Sequence, residues 1–590
     1  MMDALLYSSL LGLVVWITVA FLRKQRDNPK RLPLPPGPSK RPVIGNLFDI
    51  PDDAPWVTFS SMAQKYGDII HLKVLNQHTI IISSMEAASD LFDKRSAIYS
   101  DRFQSVMLTE LMDMGWSFGL MDYGDMWRKI RKIFHQYYSA STIRQYDGLQ
   151  LENVRVFLKR LHATPEKFFD HSRFVFAALL MNVTYGMHIE DEHNEHLVEA
   201  EKWQHGFNQA IQPGRFWVDY LPILKYIPAW MPRANFKRLA LQWRQNMYHA
   251  RDRPFDGAKA DLIIGTATPS IVTEALESIA DSPDKAEQEL LTRYSLGAAF
   301  GAGVDTSAPT LQLFFYAMLT YPEIQTKAHA ELDRVVGPSR LPTMDDRPNL
   351  PYVEAILKEV LRWKPVTPLA LPHYTATSDE YRGYYIPKGS IVLGVSEIFI
   401  DCLSFTTCTE HIQECLASLR FVFVISLEFA LIIPNREMLH DPVEYPCPDQ
   451  FRPQRFLNPD GSLNPDVPDP SVACFGFGRR ICPGRFLSLN SLFSAIAAVL
   501  HTFTITPALD QNGKPVEVEL RMQSGMIPAI PLFDSTSLSG CRGSGDQLTV
   551  YRYPDIGPIF DLSPLSLLPH MACTERITLT IERLLPKRLK

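Results

Sequence analysis

The sequence predicts a mainly α-helical domain with small β-sheets, preceded by one N-terminal transmembrane helix. Helical periodicity, interrupted by prolines and glycines, dominates the chain as far as about Arg362. Strand signals are few and short; the clearest are the β-branched runs Ile69 to Val74 and Thr79 to Ser83, with Asn76, Gln77 and His78 as the turn between them. Ahead of these, Ala4 to Leu22 is 19 residues without a charge, close to the roughly 20 needed to cross a bilayer core.

Arg23, Lys24, Arg26, Lys30 and Arg31 follow the apolar run at once. By the positive-inside rule they hold the remainder of the chain on the cytosolic side. Charges that follow the run, with no small-residue cleavage site, argue against a removed signal peptide. Leu32 to Pro38 reads Leu-Pro-Leu-Pro-Pro-Gly-Pro, a stiff extended spacer that cannot continue a helix. The organisation expected is an anchor at 4–22, a basic and proline-rich hinge at 23–38 and a main domain at 39–526. Hydrophobic residues make up 46% of the 590, and the net charge of −6 gives no nucleic-acid bias. The eight cysteines show neither paired metal spacing nor a dense disulfide pattern, which suits a reducing compartment.

Trp127 and Arg131 are four apart and share one helix face, where an indole N–H and a guanidinium can both bind a carboxylate. Ala302-Gly303-Val304-Asp305-Thr306 lies in an apolar helical segment from about Glu287 to Leu319, where an acid and an alcohol are costly unless bonded or used. Pro309 offers no N–H to the carbonyl of Asp305, so the helix is expected to open there. Glu359 and Arg362, three apart, can pair along a helix. Further on, Phe475 to Gly484 reads Phe-Gly-Phe-Gly-Arg-Arg-Ile-Cys-Pro-Gly, followed by an apolar helical run from Phe486 to Leu500. Glycines let a backbone pass close to a flat ligand, and a helix start favours an anion. A Cys482 thiolate held there is a haem-iron ligand candidate, and thiolate ligation favours O–O cleavage over oxygen carriage. As a lone residue Cys482 would read as a buried free thiol.

The spacing Phe-x-x-Gly-x-Arg-x-Cys-x-Gly, carried by Phe475, Gly478, Arg480, Cys482 and Gly484, resembles the haem-binding signature of the cytochrome P-450 family. That resemblance covers roughly residues 30 to 394 and 438 to 526. It implies a single mainly helical domain (the cytochrome P-450 fold) enclosing haem b, with Cys482 as axial ligand of the iron. It also implies Trp127, Arg131, His373 and Arg480 as propionate holders, and Asp305 with Thr306 as the pair that manages protons. Glu359, Arg362 and Arg455 would form a structural triad. The implied reaction is monooxygenation of a hydrophobic small molecule, with electrons from NADPH through a separate flavoprotein reductase steered by Arg128, Lys129 and Lys132. The proline hinge resembles that of microsomal members, which implies the endoplasmic reticulum membrane. The chain is similar in style to fungal members of secondary metabolism, including O-methylsterigmatocystin oxidoreductase-like enzymes and those of tryptamine or terpenoid pathways. The pocket expected is lined by Phe103 to Phe118, Ala298 to Gly303, Thr367 to Leu371 and Met526. A haem-thiolate isomerase or dehydratase, or a non-enzymatic haem sensor or electron carrier, is the rival reading, disfavoured by Asp305 and Thr306.

Two stretches depart from the family. Tyr384 to Gly394 reads like a family strand pair and Met438 to Pro442 like the segment that follows it. Val395 to Pro434 adds 40 residues between them, with three of the eight cysteines. This segment is expected to be a retained intron or a gene-model error. Up to Met526 the chain follows a closing hairpin with Asp510 to Gly513 as its turn, whereas 527–590 is an unrecognised tail, again expected to be an artefact.

Overall fold

The computed structural model describes residues 26–51, 55–212, 215–395 and 438–507, with the short strand 580–581. The expected anchor at 4–22, nearly all of the insert, the closing turn at 510–513 and Met526 lie outside the described residues. Among the described residues no helix is long and apolar enough to cross a membrane.

Helices dominate, as expected: α1 (Pro55–Tyr66), α2 (Asp125–Tyr138), α3 (Asp147–Ala163), α4 (Phe168–Tyr185), α5 (Glu195–Ala210) and α6 (Asn235–Ile264). They are followed by α7 (Ile271–Ser278), α8 (Lys285–Thr320), α9 (Pro322–Val335), α10 (Pro351–Trp363) and α11 (Arg485–Thr502). Strands β1 (Ile69–Val74), β2 (Gln77–Ile82), β3 (Asp101–Arg102), β4 (His373–Tyr374), β5 (Asp379–Tyr381), β6 (Tyr384–Ile386) and β7 (Ile391–Gly394) make two small sheets. The larger runs β1-β2-β7-β4-β3, with β2 and β7 parallel and the other neighbours antiparallel. The hairpin is tighter than the sequence suggested: Val74 pairs with Gln77, so Leu75 and Asn76 alone make the turn, with Leu75 at φ 51°. A two-residue turn needs such left-handed backbone, and Gln77 and His78 are thereby freed to join β2. The expected pair from Tyr384 to Gly394 is also modified. Both strands form, but β6 joins β5 in the smaller sheet while β7 crosses to β2 and β4.

Helix α8 is the axis, 36 residues or about 54 Å at 1.5 Å per residue. Its N-terminal half packs apolar residues with α2, α4, α6 and α7, and its C-terminal half with α3, α4, α9, α10 and α11. Close packing needs small residues on it: a Cβ on Gly301 would lie 2.1 Å from the Trp203 ring of α5. The break expected at Pro309 does not occur, and α8 runs unbroken through it. The hydroxyls of Thr306 and Thr310 donate to the carbonyls of Ala302 and Thr306 at 3.0 and 2.8 Å on either side of the proline. Burial among the other helices holds the rest, since tertiary packing overrides local propensity.

Beneath the loop that carries Cys482, Glu359 on α10 accepts from Arg362 at 2.8 and 3.0 Å and from Arg455 at 3.1 and 3.2 Å. The amide of Arg452 adds a bond at 2.7 Å. Arg362 and Arg455 spend their remaining donors on carbonyls of Leu439, Pro446, Cys447 and Pro448. The residues expected as a triad are thus one network, with Glu359 and Arg362 fully buried and Arg455 at its edge, that stitches α10 to residues 439–456. Ion pairs of this kind stabilise only when their remaining donors and acceptors are met, as they are here.

Candidate functional site

Between α8 and the loop of Cys482 lies a cavity of about 320 Å³. The loop is closed by the Cys482 amide donating to the carbonyl of Phe475 at 2.7 Å. At Gly478, φ is +53° and a Cβ would lie 2.2 Å from the carbonyl oxygen of Phe92, so only glycine fits. Phe475, Gly476, Cys482 and Gly484 form one wall; Ala298, Ala299, Ala302, Gly303 and Thr306 form the wall across from it. Burial pushes the Cys482 thiol up from its ordinary range, while the amides of Gly484 and Arg485 and the guanidinium of Arg131 pull it down. A sulfur facing amides at the start of α11 has the partners a thiolate needs and lacks only a cation.

The edge of the cavity gathers positive charge. Arg131 and Trp127 sit on the inner side of α2, as their spacing requires, and Arg480 lies over the Trp127 ring at 4.9 Å. The Trp127 indole donates to the carbonyl of Phe118 at 3.1 Å, and Arg131 donates to that of Ile481 at 2.6 Å. Arg480 is committed to main-chain carbonyls of Ser100, Phe118 and Met121 at 2.6, 3.1 and 2.7 Å. His373 on β4 bonds the carbonyl of Tyr99 through Nδ1 at 2.7 Å and stacks on Phe92, which leaves Nε2 as its free nitrogen.

Sequence reasoning missed Arg102, on β3, which lines the same cavity. It donates to the carbonyls of Gly119, Leu371 and Pro372 at 3.1, 2.8 and 3.1 Å and keeps Nη2 without a partner among the described residues. Burial, then the charge of Arg480, holds Arg102 well below the usual guanidinium range; burial brings Arg131 and Arg480 each down to about 10. Among the described residues none of the three guanidinia donates to a carboxylate. Asp101 and Asp122 offset only part of the charge on Arg480, and such clustered charge in an apolar chamber is costly unless a further anion is placed against it. A flat apolar dianion meets that demand and brings a metal to Cys482, so the residues present fit haem b.

Thr306 faces the cavity, whereas Asp305 points away from it. Its carboxylate lies 3.2 Å from Arg173 on α4, which in turn lies 3.3 Å from Glu201 on α5. Burial raises the Asp305 carboxyl, against the lowering effects of Arg173 and Asn208. Asp305 thus belongs to an ion-pair cluster with Arg173 and Glu201, an exposed residue, while the Thr306 hydroxyl bonds the carbonyl of Ala302. The pocket lining expected at 298–303 and 367–371 is met by Ala298, Ala299, Ala302, Gly303, Thr367, Ala370 and Leu371. That expected at 103–118 is corrected. Of this stretch only Ser117 and Phe118 line the cavity; Met107, Leu108, Met112 and Met114 pack in a separate core with Trp203 and Trp243. Apolar residues of α4 (Phe176, Leu179 and Leu180) complete the roof. On the outer face of α2, Arg128 and Lys129 are exposed as expected but already paired, with Asp125 and Glu287.

Comparison with known proteins points the same way. The family model for cytochrome P450 matches residues 35–396 and 410–528. Of the segment expected to be an insert, 397–409 falls in the break, whereas 395–396 and 410–434 fall within the match. Cytochrome P450 monooxygenase COX2 of Coprinopsis cinerea is 40% identical over 510 residues, 86% of this chain and 88% of the relative. Cytochrome P450 monooxygenase 98 of Postia placenta is 38% identical over 489 residues, 82% and 86% of the two chains. Tryptamine 4-monooxygenase of Psilocybe cyanescens is 34% identical over 504 residues, 84% and 91%.

Proposed function

This chain belongs to the cytochrome P450 family and is an oxygen-incorporating oxidoreductase, and on that premise we propose that it hydroxylates or otherwise oxidises a hydrophobic small molecule of fungal secondary metabolism. The observation that carries this reading is the juxtaposition of Cys482 with Thr306 across an apolar cavity whose rim gathers three guanidinia, none of them donating to a carboxylate among the described residues. When bound, haem b supplies oxygen activation, one atom of O2 entering the substrate and the other leaving as water, with two electrons from NADPH through a separate flavoprotein reductase. Cys482 would hold the haem iron through its sulfur, which the amides of Gly484 and Arg485 orient. Arg102, Arg131 and Arg480, each with N–H groups left after its bonds to carbonyls, would hold the propionates. His373, whose Nδ1 is spent on Tyr99, would join them only as the imidazolium. The single indole N–H of Trp127 is spent on the carbonyl of Phe118, which corrects its expected role to support of the rim. Ala298, Ala302, Phe176 and Leu180 exclude water and orient the substrate's apolar body.

Protons reach the site from the solvent side. Asp305 takes them up beside Arg173 and Glu201, and Thr306 passes them on at Oγ1, which in the resting arrangement donates to the carbonyl of Ala302. Thr306→Ala is expected to keep its haem yet lose about 10²-fold in product formation, the usual contribution of one proton-transferring group. NADPH consumption continues in that variant and hydrogen peroxide accumulates. An unchanged ratio of product to NADPH consumed removes Thr306 from the mechanism.

The protein acts at the endoplasmic reticulum membrane through the single anchor at 4–22, with its catalytic domain cytosolic. The exposed apolar side chains of Trp217, Ile223, Tyr226 and Trp230, of the kind enriched at membrane interfaces, support membrane contact by the domain as well. Membrane fractionation of the intact chain against one lacking residues 1–31 tests this; equal recovery of both in the soluble fraction contradicts it. Residues 395–434 and the tail after Met526 are read as products of a gene model, and a spliced transcript encoding them overturns that reading.

A further inference from the structure

Helix α5 meets α8 along one stripe of polar side chains. Glu201, Gln204 and Asn208 are three and four positions apart, so they share a face of α5. All three bear on the turn of α8 that carries Asp305. Glu201 acts through Arg173, which lies 3.3 Å from it and 3.2 Å from the Asp305 carboxylate. Gln204 is buried and donates through Nε2 to the carbonyl of Gly301, one turn before Asp305. Asn208 hydrogen-bonds Asp305 itself, side chain to side chain.

The two ends of the Asn208 amide are not used alike. An ionised carboxylate only accepts, so the bond to it comes from Nδ2. Oδ1 is buried and has no hydrogen-bond partner among the described residues. An unpaired buried acceptor is costly. Protonation of Asp305 removes that cost, because the carboxyl then has an O–H to donate and a half-turn of the amide brings Oδ1 to it. The charged groups that face Asp305 cannot serve both forms. Arg173 on α4 donates and never accepts, and Glu201 on α5, when ionised, accepts and never donates. Burial raises the Asp305 carboxyl, Arg173 lowers it and Glu201 raises it, with the Asn208 bond lowering it further. The acid is thus held between opposed influences, where a small change in its partners moves the pH at which it loads.

Resting on the functional reading above, we propose that Asn208 is a positioning residue for proton delivery, its amide donating to Asp305 as the carboxylate and accepting from it as the carboxylic acid. The proton that Asp305 takes from solvent is held by a bond to Oδ1 until it leaves toward Thr306, and the carboxylate left behind is met again by Nδ2. Gln204 fixes the turn of α8 on which this exchange takes place.

The test reads Asp305 directly. The infrared difference between wild type and Asp305→Asn, taken on the full-length protein over a pH series, isolates the carboxylic acid band of this residue. Asn208→Leu is expected to raise the midpoint of that band by about one pH unit, because the carboxylate loses a charge-assisted bond about twice as strong as the neutral bond lost by the acid. The same substitution slows NADPH oxidation by the haem-loaded protein with a flavoprotein reductase about tenfold and increases its solvent isotope effect. Asn208→Gln, which keeps the amide, recovers most of both. Should Asn208→Leu fold poorly, Asn208→Asp is nearly isosteric, removes the donor and sets a second carboxylate against Asp305, so the midpoint rises again. A midpoint within about 0.2 pH unit of wild type in these two variants, or an unchanged rate of NADPH oxidation, overturns the proposal. The infrared titration needs no haem. A protein that takes up none overturns the functional reading, while the band still decides the pairing of Asn208 with Asp305, so the two failures are distinct.

Discussion

Cys482→Ser is expected to abolish the red-shifted Soret band of the reduced carbon monoxide complex. The substitution leaves the loop intact, because the bond that closes it runs from the main-chain amide of residue 482 to the carbonyl of Phe475. What it removes is the thiolate, and with it the electron density that sulfur gives the metal; a hydroxyl does not ionise in its place. A demanding control is available nearby. Cys474 lines the same cavity, yet its sulfur donates to the carbonyl of Leu361 at 3.1 Å and burial pushes its thiol up to about 12. Cys474→Ser is therefore expected to retain the band in full. A band that survives in the Cys482 variant but disappears in the Cys474 variant reverses the ligand assignment.

Glu359→Ala is expected to be the most destabilising single change in the domain. Both guanidinia that depend on Glu359 are buried, and its removal leaves two cations facing each other without a carboxylate. Breaking a buried pair in this way costs about 3–5 kcal/mol, a large share of the stability of an ordinary domain. The network also anchors residues 439–456, which lead into the Cys482 loop, so haem retention is expected to fall with stability. Soluble yield and the thermal midpoint followed at the Soret band measure both. Lys30→Ala, at an exposed pair with Glu380, provides the contrast and is expected to leave the midpoint in place. Comparable midpoints for the two variants would show that the buried network is not a structural support.

What could be read from the sequence was what lies close together along it. The Cys482 loop is ten consecutive residues, Trp127 and Arg131 are one helical turn apart, and α8 is long enough for its period to be unmistakable. Arg102 escaped because nothing local marks it. It reaches the site only when the two-residue strand β3 pairs with β4, whose residues lie some 270 positions later. The apolar stretch from Phe103 to Trp116 was misread as pocket lining for a related reason: periodicity reports that a residue is buried but not in which core, and most of these enter the one around Trp203 and Trp243. Pro309 was over-weighted, since the rule for an isolated helix ignores the packing on both sides of α8.

The account stands or falls on whether this fold captures a porphyrin through sulfur. The direct measurement is haem titration of the purified chain, with and without residues 395–434, followed by reduction under carbon monoxide. One haem per chain and a red-shifted Soret band are the predicted result. A folded protein that binds no haem, or binds it without that shift, contradicts it.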